Sequence, residues 1–243
     1  MSFKVDAAKT ARGTLGFVIQ NSANSLLGLV LFAVFARFVT KGEMGVYAGF
    51  TLTYTLFQTL GVLGLNIAAT RFVAKSLAEG YGAAASAVAR KIILISLGAG
   101  VIAAMIHYTL APQFSFLISQ SYDYARFFSY ASIIVLVNIP MLIIEGLMQG
   151  VHEYGKLASL RIVAQVLRIV ISVWLLQVGW GLLGMILGWT ILGLAVLLSS
   201  IPFLTFHLDF RSSSYPLSPI FRYSLPMMGA ALLLSCQTAL MSS

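Results

Sequence analysis

The sequence is poor in charge, in acidic residues and in cysteine. Charged side chains make up 9% of its 243 residues against 59% hydrophobic, and the mean hydropathy is +0.94. Soluble domains carry about 25% charged residues, so this composition excludes a soluble enzyme, a nucleic-acid binder and a disordered chain. Its single cysteine, Cys236, excludes an intrachain disulfide and a cysteine-based metal cage. An integral membrane protein remains.

Residue patterns that support catalysis are also missing. His107, His152 and His207 lie far apart, without metal-ligand spacing or an accompanying cluster of acids. The sequence has no phosphate-binding Gly-Lys-Ser/Thr loop, no Gly-x-Ser-x-Gly elbow and no paired carboxylates within helical reach. A membrane glycosyl ligase or polymerase would need a large outer loop, and the longest such loop, 112–126, is short. We therefore predict no catalytic residue, no metal, no cofactor and no nucleic-acid partner.

Long apolar runs dominate what the sequence does contain. A membrane-spanning helix needs about 20 apolar residues. We predict an all-α fold, a polytopic transmembrane helix bundle with about seven spans. The first run is too long for a signal peptide and lacks a cleavage site, so we expect it to stay as a span. The runs are approximately 13–36, 45–70, 92–111, 127–149, 162–178, 182–204 and 223–240.

Positive residues are divided unequally between the two ends of these runs. Eleven Lys and Arg fall on the side of the N-terminus and three on the other, while Arg168 lies inside the fifth run. Such residues favour cytoplasmic loops and bind anionic lipid headgroups. We predict a multi-pass protein of the cytoplasmic cell membrane, in contact with membrane lipids, with a cytoplasmic N-terminus. The eleven are Lys4, Lys9, Arg12, Arg71, Lys75, Arg90, Lys91, Lys156, Arg161, Arg211 and Arg222.

Polar side chains inside the runs mark candidate functional positions, because at membrane depth such groups face a bundle interior or a wet cavity. Amides also join helices as simple packing contacts, and Glu145 and Arg168 could instead pair or extend toward the membrane surface. Both alternatives stay open on the residues alone. Pro140, in the fourth run, is a hinge candidate. The substrate-cavity candidates are Gln20, Asn21 and Asn24 in the first run, Asn66 in the second, Glu145 in the fourth, and Arg161, Gln165 and Arg168 near the fifth.

Small residues recur at the spacing that lets helices approach closely in lipid. Segments 45–49 and 184–188 each begin and end with glycine, four positions apart. We interpret both as packing surfaces rather than as functional sites.

Five segments, taken in order, resemble a known family. They are ARGT at 11–14, ARFVTKGEMGVY at 36–47, GLNIAATRFVAK at 64–75, IEGLMQG at 144–150 and RYSLP at 222–226. Their order and spacing resemble the polysaccharide transport family, the lipid-linked oligosaccharide flippases of the multidrug/oligosaccharidyl-lipid/polysaccharide exporter superfamily. The fourth segment continues through Lys156 into Arg161 and VLRI at 166–169. By position, the residues that fall within the matching motifs are Arg12, Arg37, Arg71, Glu145, Arg161 and Arg168.

This resemblance implies one lobe of a two-lobed transporter of twelve to fourteen helices. Residues 1–204 would form the N-terminal six-helix membrane lobe, 205–222 a cytoplasmic linker, and 223–243 a seventh span, which we expect to be truncated. Such proteins pass a lipid-linked sugar across the membrane by alternating access, in which one bundle moves against another. The implied partners are that lipid-linked sugar and either the missing second lobe or another copy of the chain.

The resemblance also gives the polar face of the fifth run a role. Arg161, Gln165 and Arg168 lie within about 40° of one helical direction. A guanidinium offers a fork of donors that matches phosphate oxygens. We predict that Arg168, supported by the other two, faces the phosphate or diphosphate of the lipid-linked sugar.

Two other functions remain open at this point. A cation-coupled multidrug exporter of the same superfamily would need acids deep in the lobe, and only Glu145 qualifies against a surplus of arginine. An anionic substrate therefore fits better. A non-transporting membrane scaffold is the second alternative.

Overall fold

The computed structural model describes residues 21–208 and 215–241, and within this part of the chain the fold is entirely α-helical. The predicted all-α helix bundle is confirmed. Gln20, one of the cavity candidates, lies outside the described residues. The helices are α1 (Asn21–Phe35), α2 (Lys41–Val62), α3 (Leu65–Ala78), α4 (Gly82–Thr109), α5 (Ala111–Ser119), α6 (Ala125–Gly150), α7 (Tyr154–Gln177), α8 (Leu182–His207) and α9 (Ser218–Met241).

Five helical segments in the described part of the chain are long and apolar enough to cross a membrane. They correspond to the second to sixth predicted runs, but two of them begin eight to ten residues earlier than predicted. α4 begins at Gly82 rather than at 92, and α7 at Tyr154 rather than at 162. Hydrogen bonding along a helix continues past the apolar run, since Ala, Lys and Arg, which are frequent in these two extensions, are good helix formers. Cationic side chains predicted between spans, including Arg161, therefore lie on helices.

The start of α2 and its junction with α3 have clear local causes. Thr40 and Glu43 form a capping box, with the Thr40 amide 2.8 Å from Glu43 Oε2. The helix stops at Leu63 and Gly64, which have φ angles of 54° and 67°. A methyl group at Gly64 would also overlap the Ser224 carbonyl oxygen of α9. Glycine is thus required there for its backbone conformation and for the close approach of α9.

α6 is the central helix of the bundle. It contacts α2, α3, α4, α5, α7 and α8, and one side chain per turn or so is fully buried along its length, from Phe128 through Ile134 and Ile139 to Leu147. The helix runs through Pro140 from Ala125 to Gly150.

Glycines set how closely the neighbours of α6 and α8 approach. A methyl group at Gly146 would overlap the Asn66 carbonyl oxygen of α3, and one at Gly150 would lie 3.0 Å from Val73 Cβ. The predicted packing segment 184–188 joins α8 to α7, because a methyl group at Gly184 would lie 2.8 Å from a Leu175 carbon. In segment 45–49 the close contact is made by the second glycine, which faces α5.

Cationic side chains tie several helix ends together at one end of the bundle. The Lys91 ammonium, in the third turn of α4, donates to the Tyr215 carbonyl oxygen ahead of α9. The Arg71 guanidinium of α3 lies 4.3 Å from the Tyr223 ring centroid on α9. The Lys156 nitrogen of α7 lies 4.9 Å from the ring centroid of Phe203 on α8. Arg71, Lys91 and Lys156, which the sequence prediction placed on one side, thus lie toward one end of the bundle.

Candidate functional site

A buried ion pair joins α6 to α7. The Arg161 guanidinium donates to Glu145 Oε2, and the Glu145 side chain is 7% exposed. The other carboxylate oxygen, Oε1, is buried and has no hydrogen-bond partner within the described part of the chain. The sequence left open whether Glu145 pairs with Arg168. The structure pairs it with Arg161, which lies about two helical turns nearer than Arg168 to the short connection between the two helices.

Glu145 also lines a cleft between α3 and α6, which we call the α3–α6 cleft. It has a volume of about 250 Å³. The Thr70 hydroxyl of α3 donates across its base to the Gly146 carbonyl oxygen of α6, at 2.9 Å. The candidates Asn66 and Glu145 thus share one site. Its lining includes the side chains of Asn66, Ile67, Thr70, Arg71, Glu145 and Gln149.

Arg168 occupies a second polar centre. Its guanidinium carbon lies 3.6 Å from the ring centroid of Trp189 on α8, a close cation–π contact. Its Nη1 lies 3.5 Å from Oε1 of Gln165, and both side chains are buried, each residue being 6% exposed. Among the described residues Arg168 has no acidic partner. The predicted grouping of Gln165 with Arg168 is observed, whereas Arg161 belongs to the ion pair.

Two tyrosines of α2 extend this centre, which we call the interior cluster (Tyr47, Tyr54, Asn138, Arg168 and Trp189). The Trp189 indole nitrogen donates to the Tyr47 hydroxyl at 3.1 Å, and the Trp189 and Tyr54 rings lie 5.7 Å apart. Asn138 of α6 is fully buried and donates to the Tyr54 hydroxyl at 2.9 Å. Four helices therefore meet around one guanidinium.

Sequence reasoning missed the aromatic members of this cluster. Tyr47 and Tyr54 stand seven residues apart, which places them on one face of α2, two turns from each other. That spacing, with Phe50 between the two tyrosines, could have indicated an aromatic face on α2. Trp189 had no comparable signal, because only the packing of α8 on α7 brings it to Arg168.

The candidates Asn21 and Asn24 are not among the residues that line the α3–α6 cleft or form the interior cluster. Asn21 is exposed at the start of the described part of α1, and Asn24 is half-buried with Oδ1 unpartnered among the described residues. His107 is buried against Phe57 and Phe114, whose ring centroids lie 5.1 and 5.3 Å from that of the imidazole. In residues 21–208 and 215–241, no group of three or more His, Cys, Asp or Glu could hold a metal.

Long apolar helices around a buried ion pair and a buried guanidinium define a multi-pass α-helical membrane protein. The chain belongs to the family of polysaccharide biosynthesis proteins, whose family model matches residues 10–241. This match confirms the family predicted from the five sequence segments.

Two curated relatives are similar over most of the chain. The lipid II flippase MurJ of Bacillus subtilis (strain 168) is 25% identical over 174 residues, which are 68% of this chain and 32% of that protein. Stage V sporulation protein B of the same organism is 25% identical over 162 residues, 65% of this chain and 30% of that protein. The matched region thus spans about a third of each relative's length. No solved structure matches the chain significantly.

Proposed function

We propose that this chain forms one lobe of a flippase that moves lipid-linked sugar precursors across the cytoplasmic membrane by alternating access. The family match and the relative named as a lipid II flippase support this function. The matched region spans about a third of that relative, so the remaining part of the pore would come from a second lobe or from another copy of the chain. Alternating access needs two bundles that move against each other.

The observation that carries the proposal is the isolated charge of Arg168. Arg161 is neutralised by Glu145, whereas Arg168 is buried in a spanning helix without an acidic partner among the described residues. A charged side chain at such depth costs about 2.5–3.5 kcal/mol on insertion scales. A positive charge kept at this cost suits an anionic substrate, and the phosphate of a lipid-linked sugar supplies the matching charge.

The same geometry disfavours a cation-coupled multidrug exporter. Such a protein needs a free acid at membrane depth, and Glu145 already faces Arg161. A drug cation near this carboxylate would also meet the Arg161 charge. We therefore place this function second.

Membrane orientation is part of the proposal. The end of the bundle that holds Arg71, Lys91 and Lys156 would face the cytoplasm, where Lys and Arg are favoured. A lipid-linked sugar made on that side would enter the lobe from its most positive end.

A complementation experiment tests the function. The gene that encodes this chain is expressed, in its natural context, in cells depleted of their own lipid-linked sugar flippase. We expect surface polysaccharide to be restored, while resistance to a cationic dye stays unchanged. Dye efflux without polysaccharide rescue would instead favour the multidrug exporter, and a lack of both at normal protein levels would favour a scaffold.

A further inference from the structure

The α3–α6 cleft is lined by a carboxylate, that of Glu145, of which only one oxygen has a hydrogen-bond partner in the described part of the chain. Glu145 Oε2 accepts from Arg161, while Oε1 lacks a partner in the described part of the chain. A buried acceptor without a donor bears its full desolvation penalty. A rotation of the carboxylate that turns Oε1 toward the cleft would let a donor from a ligand remove this penalty.

The other polar groups of the cleft are also available to a ligand. The side-chain amides of Asn66 and Gln149 are half-buried and make no hydrogen bond among the described residues. The Thr70 hydroxyl donates its hydrogen bond to the Gly146 carbonyl oxygen. Its oxygen lone pairs therefore stay free to accept a hydrogen bond from a ligand. The walls therefore present donors and acceptors side by side, as an alcohol requires.

The charges around the cleft select against ions. Arg71 lines its edge and Arg161 lies behind Glu145, so a cation entering the cleft would meet two positive charges. A phosphate placed against Glu145 Oε1 would meet a carboxylate. A neutral hydroxyl avoids both repulsions, because it donates to the carboxylate and accepts from an amide.

The volume of the cleft and its apolar side chains further limit the kind of ligand that it can bind. A volume of about 250 Å³ lies below the range of about 300–1,000 Å³ that is typical for drug-sized ligands. The side chains of Ile67 and Leu142 line the same cleft and can cover the carbon face of a ring. The close approach of Gly146 to the Asn66 backbone and the Thr70 hydrogen bond hold the walls in place before binding.

We propose that the α3–α6 cleft binds one neutral sugar ring of the lipid-linked substrate, apart from the phosphate that Arg168 would attract. This inference rests on the proposed function and adds to it a subsite that recognises the sugar. Glu145 and the amides of Asn66 and Gln149 would hydrogen-bond the hydroxyl groups. The Arg71 edge would face the phosphate side of the ligand.

Native mass spectrometry of the purified chain in detergent tests the subsite with two probes. These are polyprenyl diphosphate and polyprenyl diphosphate carrying one N-acetylglucosamine. The variants are Gln149→Leu, which removes an amide at similar volume, and Ile67→Trp, which fills the cleft and keeps every polar group. Gln113→Leu, the same change at an exposed position on α5, is the matched control. Circular dichroism verifies that each variant keeps its helical content.

We expect the wild type to bind the sugar-bearing lipid more tightly than the sugarless one. Gln149→Leu should weaken sugar-lipid binding about threefold to tenfold, the range for one hydrogen bond, and Ile67→Trp at least as much. Both should leave binding of the sugarless lipid unchanged, and Gln113→Leu should affect neither probe. An equal loss for both lipids, or no loss in either cleft variant, would overturn the subsite. If neither probe binds the wild type better than phosphatidylglycerol, the proposed function itself fails.

Discussion

Arg161 and Arg168 stand on the same helix, seven residues apart, but only Arg161 has an acidic partner, Glu145, among the described residues. Seven residues are about two helical turns, so both guanidinium groups leave α7 on nearly the same side. One joins α7 to α6 through the ion pair, and the other lies over Trp189. This separation gives the two arginines different expected phenotypes.

Arg161→Ala should destabilise the protein because it leaves the Glu145 carboxylate buried without a partner. Breaking a buried pair costs about 3–5 kcal/mol, and the partial exposure of Arg161, 23% of its side chain, should reduce this to the lower end. Thermal midpoints in detergent measure the effect. Lys156→Ala, which breaks the more exposed pair with Glu153, is the control and should cost at most about 1 kcal/mol. Removing Glu145 together with Arg161 should cost less than the two single losses added. Additive losses would show that the pair contributes nothing.

Gly146→Ala should separate α3 from α6, since its methyl group would overlap the Asn66 carbonyl oxygen. Overpacking of this kind typically costs about 1–3 kcal/mol. Gly98→Ala is the matched control, because no atom lies within 4 Å of a methyl group added there in the helix α4. That change should be neutral or slightly stabilising. Equal thermal midpoints for the two variants would contradict the close packing of α3 on α6.

Trp189→Phe and Trp189→Ala should separate stacking from hydrogen bonding in the interior cluster. Phenylalanine keeps a ring beneath the Arg168 guanidinium but loses the indole bond to the Tyr47 hydroxyl. We expect transport to be reduced mildly by phenylalanine and strongly by alanine, because a cation–π contact in a desolvated site is worth about 2 kcal/mol. Initial transport rates at matched protein levels measure this. Equal rates for both variants and the wild type would show that Trp189 does not position Arg168.

Reporter fusions test the orientation. A reporter that is active only outside the cell should be active after Gln120 or Trp180, which follow α5 and α7. It should be silent after Gly80 or Tyr154, at the end that carries most of the positive residues. The reverse pattern would overturn the cytoplasmic placement of the N-terminus.

Hydropathy predicted the helices well where the apolar run and the hydrogen-bonded helix end together. The sixth span begins at Leu182 in both the sequence prediction and the structure. Hydropathy did not predict the starts of α4 and α7, which lie ten and eight residues before their apolar runs. The reason is that hydropathy detects contact with lipid rather than helical hydrogen bonding. Small residues at 82–89 in α4, and Lys156 and Arg161 in α7, continue these helices without adding to the strongly apolar run.

The candidate site could be predicted only in part, for a similar reason. Helical spacing placed Arg161, Gln165 and Arg168 on one face, and it contained no information on which of them meets α6. The short connection between α6 and α7 decides that Arg161 reaches Glu145. The sequence prediction also did not include Gly146 and Gly150 as a helix-packing pair, although they have the same spacing as the glycines of 184–188.

Transport by Arg168 variants is the measurement that tests the account most directly. The protein encoded by the gene that carries this chain is reconstituted into vesicles, and the appearance of a fluorescent lipid-linked sugar in the opposite leaflet is followed. We predict that Arg168→Ala lowers the rate about 10- to 100-fold, the equivalent of one charged hydrogen bond, and that Arg168→Lys also loses transport because it lacks the guanidinium fork. If Arg168→Lys transports and Arg168→Ala does not, transport requires a positive charge at this position but not the guanidinium fork. Wild-type transport by Arg168→Ala would contradict the account, since the buried guanidinium would then have no part in moving the substrate.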